Sequence, residues 1–383
     1  MSADASAAAP SDLGGERHKL LRGTGWVVGT FVTSRLLVFW VILLSRKIVI
    51  PGEFSRPGEL LSVLTQSQGE IYIDLAQHGY SSLSDQQLSI GFFPFYPFLV
   101  RLASFIFADV GLAAVVTANL CLLVSAFLLN AMINLDYDNP TANRAALLFL
   151  MFSPVSFFFS SAYAESTFLM LALAAFLAAR KEKWLLASLC GMCLAATRNA
   201  GLLIAVPLLL EYFRQTRSAS TRLPKLSHLR ILFFALVPLG SGYFLWAGYV
   251  NAQDPLAYFH ARVVWGEGFF TQRWQLPEIW NLPPFYIWFP VGALVTSMLL
   301  MAGGWFLKVR DSYLLYAVLL FALCLCSVTP ESIPRNLSVV FPLFIILGVY
   351  AARFERFLEP LFAASVAALA FCTMLAANGY WMT

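Results

Sequence analysis

Apolar runs of helical length recur along the whole chain, and short polar stretches separate them. A helix that crosses a bilayer needs about 20 mostly apolar residues, so such runs predict membrane spans. The pattern predicts an all-α, polytopic integral membrane protein with about eleven transmembrane helices. The predicted spans are 24–45, 110–132, 143–160, 165–180, 184–199, 200–213, 230–250, 284–306, 312–328, 336–352 and 360–380.

One apolar run does not have the pattern of a span. Residues 90–107, IGFFPFYPFLVRLASFIF, contain two prolines and Arg101. Proline interrupts a helix, and a charge is costly inside a bilayer. We expect this segment to lie at the outer membrane face or dip into it; if it crossed, the span count would be twelve.

Composition agrees with lipid as the solvent. The chain is 59% hydrophobic and 12% charged, whereas soluble domains carry about 25% charged residues. A net charge of +4 over 383 residues is too small to indicate a nucleic-acid partner.

The six cysteines all lie in apolar runs. Cys190 and Cys193 have a metal-like spacing, but with no histidine nearby we interpret them as small buried side chains and predict no metal site there.

Lysine and arginine predict the orientation. With eleven spans and a cytoplasmic N-terminus, the inner segments hold about twice as many of these residues as the outer ones, which agrees with the positive-inside rule. Residues 1–23 are then a disordered cytoplasmic N-terminus, and 24–383 form one membrane domain. Its two long outer loops are 46–109 and 251–283, so any chemistry is expected on the outer face.

The first outer loop places two acids and a histidine close together. A helix over 69–80 would put Glu70 and Asp74 on one face, with His78 one turn further. Neighbouring, partly buried carboxylates raise each other's pKa, which makes a usable general base. The alternative is a solvated amphipathic helix on the membrane surface.

Two further groups of polar residues lie near predicted outer helix ends. Glu165 follows a serine-rich turn, where a glutamate costs more than a serine or glutamine would. Arg198 and Arg335 lie on the outer side, against the charge bias. A guanidinium can bind phosphate through two parallel hydrogen bonds; the alternative for Arg335 is a simple ion pair with Glu331.

The second outer loop mixes charges with aromatic residues. Asp254, His260 and Arg262 alternate with Tyr258 and Trp265. Aromatic rings next to polar groups suit the faces of sugars, and they equally suit the aromatic belt at the headgroup level.

Taken in order, several segments resemble the PIG-V family, the GPI mannosyltransferase 2-like enzymes, and through it the GT-C class of membrane glycosyltransferases. The resemblance spans nearly the whole chain. It is carried by IYIDLAQHGY (71–80), FFPFYP (92–97), SPVSFFFSSAYAES (153–166), ATRNAG (196–201), DPLAYFHARVVWG (254–266), SIPRNLSVVFPLF (332–344) and ANGYWMT (377–383). In one place the sequence departs from the family: Ser67 and Gln68 stand where it usually has Trp-Asp, and that aspartate is its presumed catalytic or donor-positioning acid.

The resemblance implies a hexosyltransferase that moves a sugar, mannose by analogy, from a polyprenyl- or dolichyl-phosphate donor to a glycan or glycolipid acceptor. The transfer would be a direct, inverting displacement on the non-cytoplasmic face. Since glutamine cannot act as a base, Glu70 or Asp74 is expected to replace the family acid, with Glu165 assisting. The residues expected to bind substrate or phosphate are Gln68, His78, Tyr80, Tyr96, Tyr163, Arg198, Asn199, His260 and Arg335.

The cofactor, the alternatives to an enzyme and the membrane of residence remain open from sequence. No cofactor is required, although a divalent metal bridging Glu70, Asp74 and the phosphate is compatible with these acids. The alternatives to an enzyme are a non-catalytic relative that binds lipid-linked sugar or serves as a partner subunit, and a polyprenyl-phosphate or lipid carrier. The Ala-rich N-terminus is typical of a bacterial protein, so we expect the bacterial plasma membrane, or the endoplasmic reticulum membrane for a eukaryotic one.

Overall fold

A computed structural model of the chain describes residues 23–49, 57–80, 90–218, 229–254, 257–264, 284–327 and 332–380. The predicted cytoplasmic N-terminus, 1–23, lies outside the described residues except for Gly23. Most of the predicted outer loop 251–283 also lies outside them.

The described residues form helices and turns, and none of them lies in a β-strand. The α-helices are α1 (Thr24–Val49), α2 (Pro57–Thr65), α3 (Gln68–His78), α4 (Phe95–Ala103), α5 (Val110–Asp136), α6 (Pro140–Met151), α7 (Glu165–Arg180), α8 (Trp184–Ala195), α9 (Ala205–Ser218), α10 (Val237–Ala252), α11 (Ala257–Val264), α12 (Pro284–Phe306), α13 (Asp311–Ser327), α14 (Ile333–Ser338), α15 (Phe341–Arg353) and α16 (Leu358–Ala377). Short 3₁₀ turns cover Ser156–Phe159, Asn199–Ile204, Ile231–Leu236 and Glu355–Phe357.

Within the described part of the chain, five helices are long and apolar enough to cross a bilayer. Large apolar side chains project outward from them: Trp40 on α1 is 67% exposed and Phe306 on α12 is 80% exposed. Such exposure is costly in water and favourable in lipid. The chain is therefore an integral membrane protein, as predicted. The five helices are Thr24–Ile48, Val110–Asp136, Ile231–Asn251, Ile287–Phe306 and Glu355–Ala377.

Several predicted spans are interrupted near one end. The expectation of a continuous helix over 143–160 is wrong, because α6 ends at Met151 and a turn follows. Pro154 explains the break: it has no N–H to donate, and it disfavours helical geometry at the residue before it. The predicted span 336–352 likewise divides into α14 and α15.

The segment 90–107 contains only a nine-residue helix, α4. At 1.5 Å per residue this helix is about 14 Å long, roughly half of the hydrocarbon thickness of a bilayer. It cannot cross, so the alternative of a twelfth span is wrong.

Helix α7 lies in the middle of the protein. It packs against α5 on one side and α8 on another, and most of its residues are buried. Alanines such as Ala172 and Ala175 let the neighbouring backbones approach closely, as small residues do between membrane helices. Its first residue is Glu165 and its last is Arg180, so a charge stands at each end.

The Arg180 end of α7 is held by a network of paired charges. Arg180 Nε donates to Asp136 Oδ1 over 2.8 Å. Beside it, Arg310 donates to both oxygens of the buried Glu211, over 2.8 and 2.7 Å, and Ser312 Oγ donates to Glu211 Oε2. Because these groups satisfy one another, they join the ends of α5 and α7 to the middle of α9 and the start of α13.

The segment that precedes the Glu165 end of α7 is held in place by Arg35, a buried cation on α1. Each of its five N–H donors has an acceptor: Ser34 Oγ, Ser156 O and Oγ, Ser160 Oγ, and Met151 O. These acceptors include the carbonyl of Met151 at the end of α6 and groups in the turn that follows. Arg35 therefore fixes the non-helical segment after Met151, which leads directly into Glu165.

We expect Arg35→Met to destabilise the protein by about 2–3 kcal/mol, because buried carbonyls at 151 and 156 would lose a donor. Thermal unfolding of the detergent-solubilised protein measures this. Arg101→Met, which changes an exposed arginine on α4, is the matched control and should shift the transition little. Equal shifts in the two variants would contradict the assigned role of Arg35.

Candidate functional site

Glu165 is buried at the first turn of α7, where the helix dipole favours a negative charge. Its Oε1 atom lies 2.8 Å from Nη1 of Arg198 and 3.1 Å from Nε of Arg335. One carboxylate oxygen thus contacts two guanidiniums that come from distant parts of the sequence. The structure brings these three predicted site residues together.

Arg198 has an extended backbone conformation and lies between α8 and the 3₁₀ turn Asn199–Ile204. Its Nη2 donates to Oδ1 of Asn336 over 2.6 Å, and Asn336 in turn donates to the carbonyl of Ser332. The turn requires glycine at position 201, because a Cβ there would lie 2.2 Å from the carbonyl oxygen of Leu194. Gly201 therefore lets the backbone turn tightly enough to present Arg198.

Arg335 lies on the short helix α14 and is only 4% exposed. Its guanidinium carbon lies over the rings of Tyr163 and Phe158, 5.4 and 5.7 Å from their centres, which is cation–π geometry. The Nε–H is near Glu165 but not aligned for a hydrogen bond, and Nη1 has no hydrogen-bond partner among the described residues. Leaving a buried donor unpaired costs about 1–3 kcal/mol, more for a charged group, so this nitrogen favours an added acceptor.

These three charged residues surround a cavity of about 70 Å³, which has room for a small anion or about two water molecules. Its lining combines polar groups with aromatic rings, and the described charged residues in it sum to +1. The lining includes Gln68, Tyr72, Phe92, Phe93, Glu165, Thr197, Arg198, Asn199, Tyr258, Arg335 and Asn336.

Gln68, which the resemblance aligns with the PIG-V aspartate, lines this cavity, but Glu70 does not. Glu70 is exposed and lines a second cavity of about 510 Å³. The periodicity of α3 explains the divergence: residues two apart on a helix point about 200° apart around its axis. The structure thus separates Glu70 from the lining that Arg198 and Arg335 share.

Tyr163 and Phe158 form the wall between the two cavities. Both rings line the second cavity, and both lie against the Arg335 guanidinium of the first. Burial raises the pKa of the Tyr163 phenol, so its hydroxyl stays protonated and donates to Gln66 O. The two cavities are therefore neighbours that share two aromatic side chains.

Asp74 and His78 pair with each other on α3, with His78 Nδ1 2.8 Å from Asp74 Oδ1. Neither residue lines either cavity. His260 makes a similar exposed pair with Asp254 at 2.7 Å. His260 also lies outside both linings, whereas Tyr258, two residues earlier on α11, contributes to the first.

The remaining predicted site residues have local hydrogen bonds. Tyr80 donates to the carbonyl of Phe92, and burial raises its pKa. Tyr96 is fully buried and donates to the carbonyl of Ala114. Asn199 lines the first cavity and accepts from the backbone N–H of Ala200. Tyr80 and Tyr96 thus hold the FFPFYP segment in place, with Tyr96 anchoring it to α5.

No group of three or more His, Cys, Asp or Glu side chains among the described residues is arranged to hold a metal ion. Sequence reasoning missed Asn336, which orients Arg198, and Phe158, which packs on Arg335. Asn336 directly follows Arg335 and lies in SIPRNLSVVFPLF, one of the segments that carry the resemblance, and these are the signals that could have found it.

Comparisons with known proteins bear on the fold. No family model matches the sequence, and no curated protein is similar to it in sequence, so the PIG-V resemblance stays a prediction. In structure the chain is similar to ArnT from Cupriavidus metallidurans, solved in a crystal bound to undecaprenyl phosphate. The TM-score is 0.53 at 13% sequence identity, over 93% of this chain and 76% of that one. The described residues therefore have an all-helical membrane fold that is similar to the fold of ArnT, as the sequence predicted.

Proposed function

We propose that this protein is a membrane glycosyltransferase that takes its sugar, mannose by sequence resemblance, from a polyprenyl-phosphate donor. The observation that carries the proposal is the pair of guanidiniums, Arg198 and Arg335, at one small cavity, with Nη1 of Arg335 unpaired. Such a pair suits a phosphate group. The similar fold of ArnT, whose crystal structure holds undecaprenyl phosphate, supports a polyprenyl phosphate as the ligand.

In the proposed reaction the donor phosphate binds between Arg198 and Arg335. An acceptor hydroxyl enters from the adjoining cavity, where Glu70 takes its proton. The acceptor oxygen forms a bond to the anomeric carbon while the bond from that carbon to the phosphate oxygen breaks, and the electron pair stays on the phosphate. The two guanidiniums stabilise the charge that develops there. We propose that the site lies on the non-cytoplasmic face and that the acceptor is a glycan or glycolipid.

The alternative with a specific observation in its favour is a non-catalytic relative that binds lipid-linked sugar. Gln68 lines the phosphate cavity at the position of the family acid and cannot take a proton. Incubation of the purified full-length protein with polyprenyl-phosphate mannose and a membrane lipid extract, followed by mass spectrometry, separates the two. A mannosylated product supports the transferase. Binding without product by the wild type, together with transfer by the Gln68→Asp variant, supports the non-catalytic relative.

Arg335→Met should weaken the binding of undecaprenyl phosphate about 10- to 100-fold, since charge-assisted hydrogen bonds contribute about 1.5–3 kcal/mol. Arg335→Lys keeps the charge but loses the planar geometry, so its affinity for undecaprenyl phosphate should be intermediate between those of the wild type and Arg335→Met. Binding is measured on full-length protein in lipid nanodiscs, with Arg101→Met as the control. Unchanged affinity in folded Arg335→Met would remove the phosphate assignment.

Glu70→Gln should reduce mannosyl transfer about 10²- to 10⁴-fold, the usual contribution of a general base. Donor binding should be retained, because Glu70 lies outside the lining of the phosphate cavity. Single-turnover transfer and donor affinity, measured on the same preparation, test both expectations. Full transfer by this variant would show that Glu70 is not the base.

A further inference from the structure

Glu165 lies where an anionic ligand would lie. Its Oε1 atom takes up the space between Arg198 and Arg335, at 2.8 and 3.1 Å from their nearest nitrogens. The carboxylate is almost fully buried, so water screens it weakly. Any phosphate that binds these guanidiniums therefore lies close to a fixed negative charge, or displaces it from one of them.

We propose that Glu165 is a specificity-determining residue that sets the charge of the site to match the donor and to disfavour the spent lipid phosphate. This inference rests on the proposed function. The described charged residues around the cavity are Glu165, Arg198 and Arg335, which together carry +1. A site with that charge balances a ligand carrying one negative charge.

The proposed reaction changes the charge of the phosphate. The donor is a phosphodiester, which carries one negative charge at neutral pH. When the bond between the anomeric carbon and the phosphate oxygen breaks, the electron pair stays on that oxygen, and the acceptor proton leaves through the base. The product is a phosphate monoester whose second pKa is about 6, so it is mostly dianionic at pH 7. The donor complex is neutral overall, and the product complex carries an uncompensated negative charge.

Because the site is buried, this difference in ligand charge has a large effect on affinity. Two like charges a few ångströms apart in a buried site repel strongly enough to change an affinity by about tenfold or more. Removing the carboxylate relieves this repulsion for either ligand, but it does so about twice as strongly for a dianion as for a monoanion. Glu165 therefore lowers the affinity for the product more than the affinity for the donor, and it promotes release of the lipid phosphate after each turnover.

A purely structural role predicts the opposite result. If Glu165 only held Arg198 and Arg335 in position, then Glu165→Gln would loosen both guanidiniums and weaken the binding of every phosphate. Under the proposal, the same variant binds the product more tightly and turns over more slowly. The sign of the change in product affinity separates the two roles.

The test uses full-length protein in nanodiscs of uncharged lipid and two probes with the same tail. Undecaprenyl phosphate represents the product, and undecaprenyl methyl phosphate represents a singly charged phosphodiester. In Glu165→Gln the dissociation constant for undecaprenyl phosphate should fall by about tenfold or more, and that for the methyl ester by less. With polyprenyl-phosphate mannose as donor, kcat and KM should both fall, and product inhibition should strengthen.

Two variants provide controls. Glu165→Asp keeps the charge and should restore the wild-type ratio of the two affinities. Glu359→Gln removes an exposed carboxylate on α16 and should change neither affinity. Unchanged or weaker binding of undecaprenyl phosphate by folded Glu165→Gln would overturn the inference.

The wild-type protein provides a test that does not depend on the folding of any variant. Its affinity for undecaprenyl phosphate should be no higher than that for the methyl ester, despite the extra charge on the former. A wild-type preference of about tenfold for the dianion would overturn the inference. If the wild type binds neither probe, the proposed function fails and the inference fails with it; if it binds both and Glu165→Gln leaves their ratio unchanged, only the inference fails.

Discussion

The arrangement of this protein depends on the buried guanidinium of Arg35. Where Pro154 stops α6 short, backbone carbonyls lose their helical partners in the buried interior of the protein. Arg35 supplies donors to those carbonyls and to the serines around them, and Ser160 continues the contact to Asn119 on α5. A single side chain thus makes an irregular segment stable between membrane helices. The same segment determines where α7 and its first residue, Glu165, begin.

The candidate site is built from interrupted helices. The turns after α6 and α8, and the short helix α14 before α15, each contribute to the cavity or its wall: Phe158 and Tyr163, Arg198, and Arg335, respectively. Non-helical backbone is tolerated at membrane depth when it is enclosed by protein or lines a polar cavity. The serines and prolines that weaken these predicted spans in sequence are therefore the residues that make room for the site.

Sequence reasoning recovered the helices and the three charged residues of the site, because apolar length predicts spans and charges at their ends are costly enough to stand out. It did not predict which way individual side chains point. Glu70 and Gln68 are two positions apart in one short helix, and only the packing of α3 decides which of them faces Arg335. Arg35 lies inside the predicted span 24–45, and the sequence indicates no role for it, since all of its acceptors except Ser34 are more than a hundred residues away. Long-range partners of this kind leave no local pattern.

The charges at the two ends of α7 also set how deep the site can lie in a bilayer. This helix has 16 residues, so it is about 24 Å long, somewhat less than the roughly 30 Å of hydrocarbon in an average membrane. Arg180 is tied to its network at one end of the helix, and Glu165 at the other end cannot move along the helix axis independently of it. In a bilayer whose headgroups lie level with Arg180 on one side, the guanidiniums around Glu165 would lie just below the opposite headgroups if the membrane is thin and deeper if it is thick. The hydrophobic thickness of the host membrane would then control how easily the proposed ligand, a lipid-linked phosphate, reaches them.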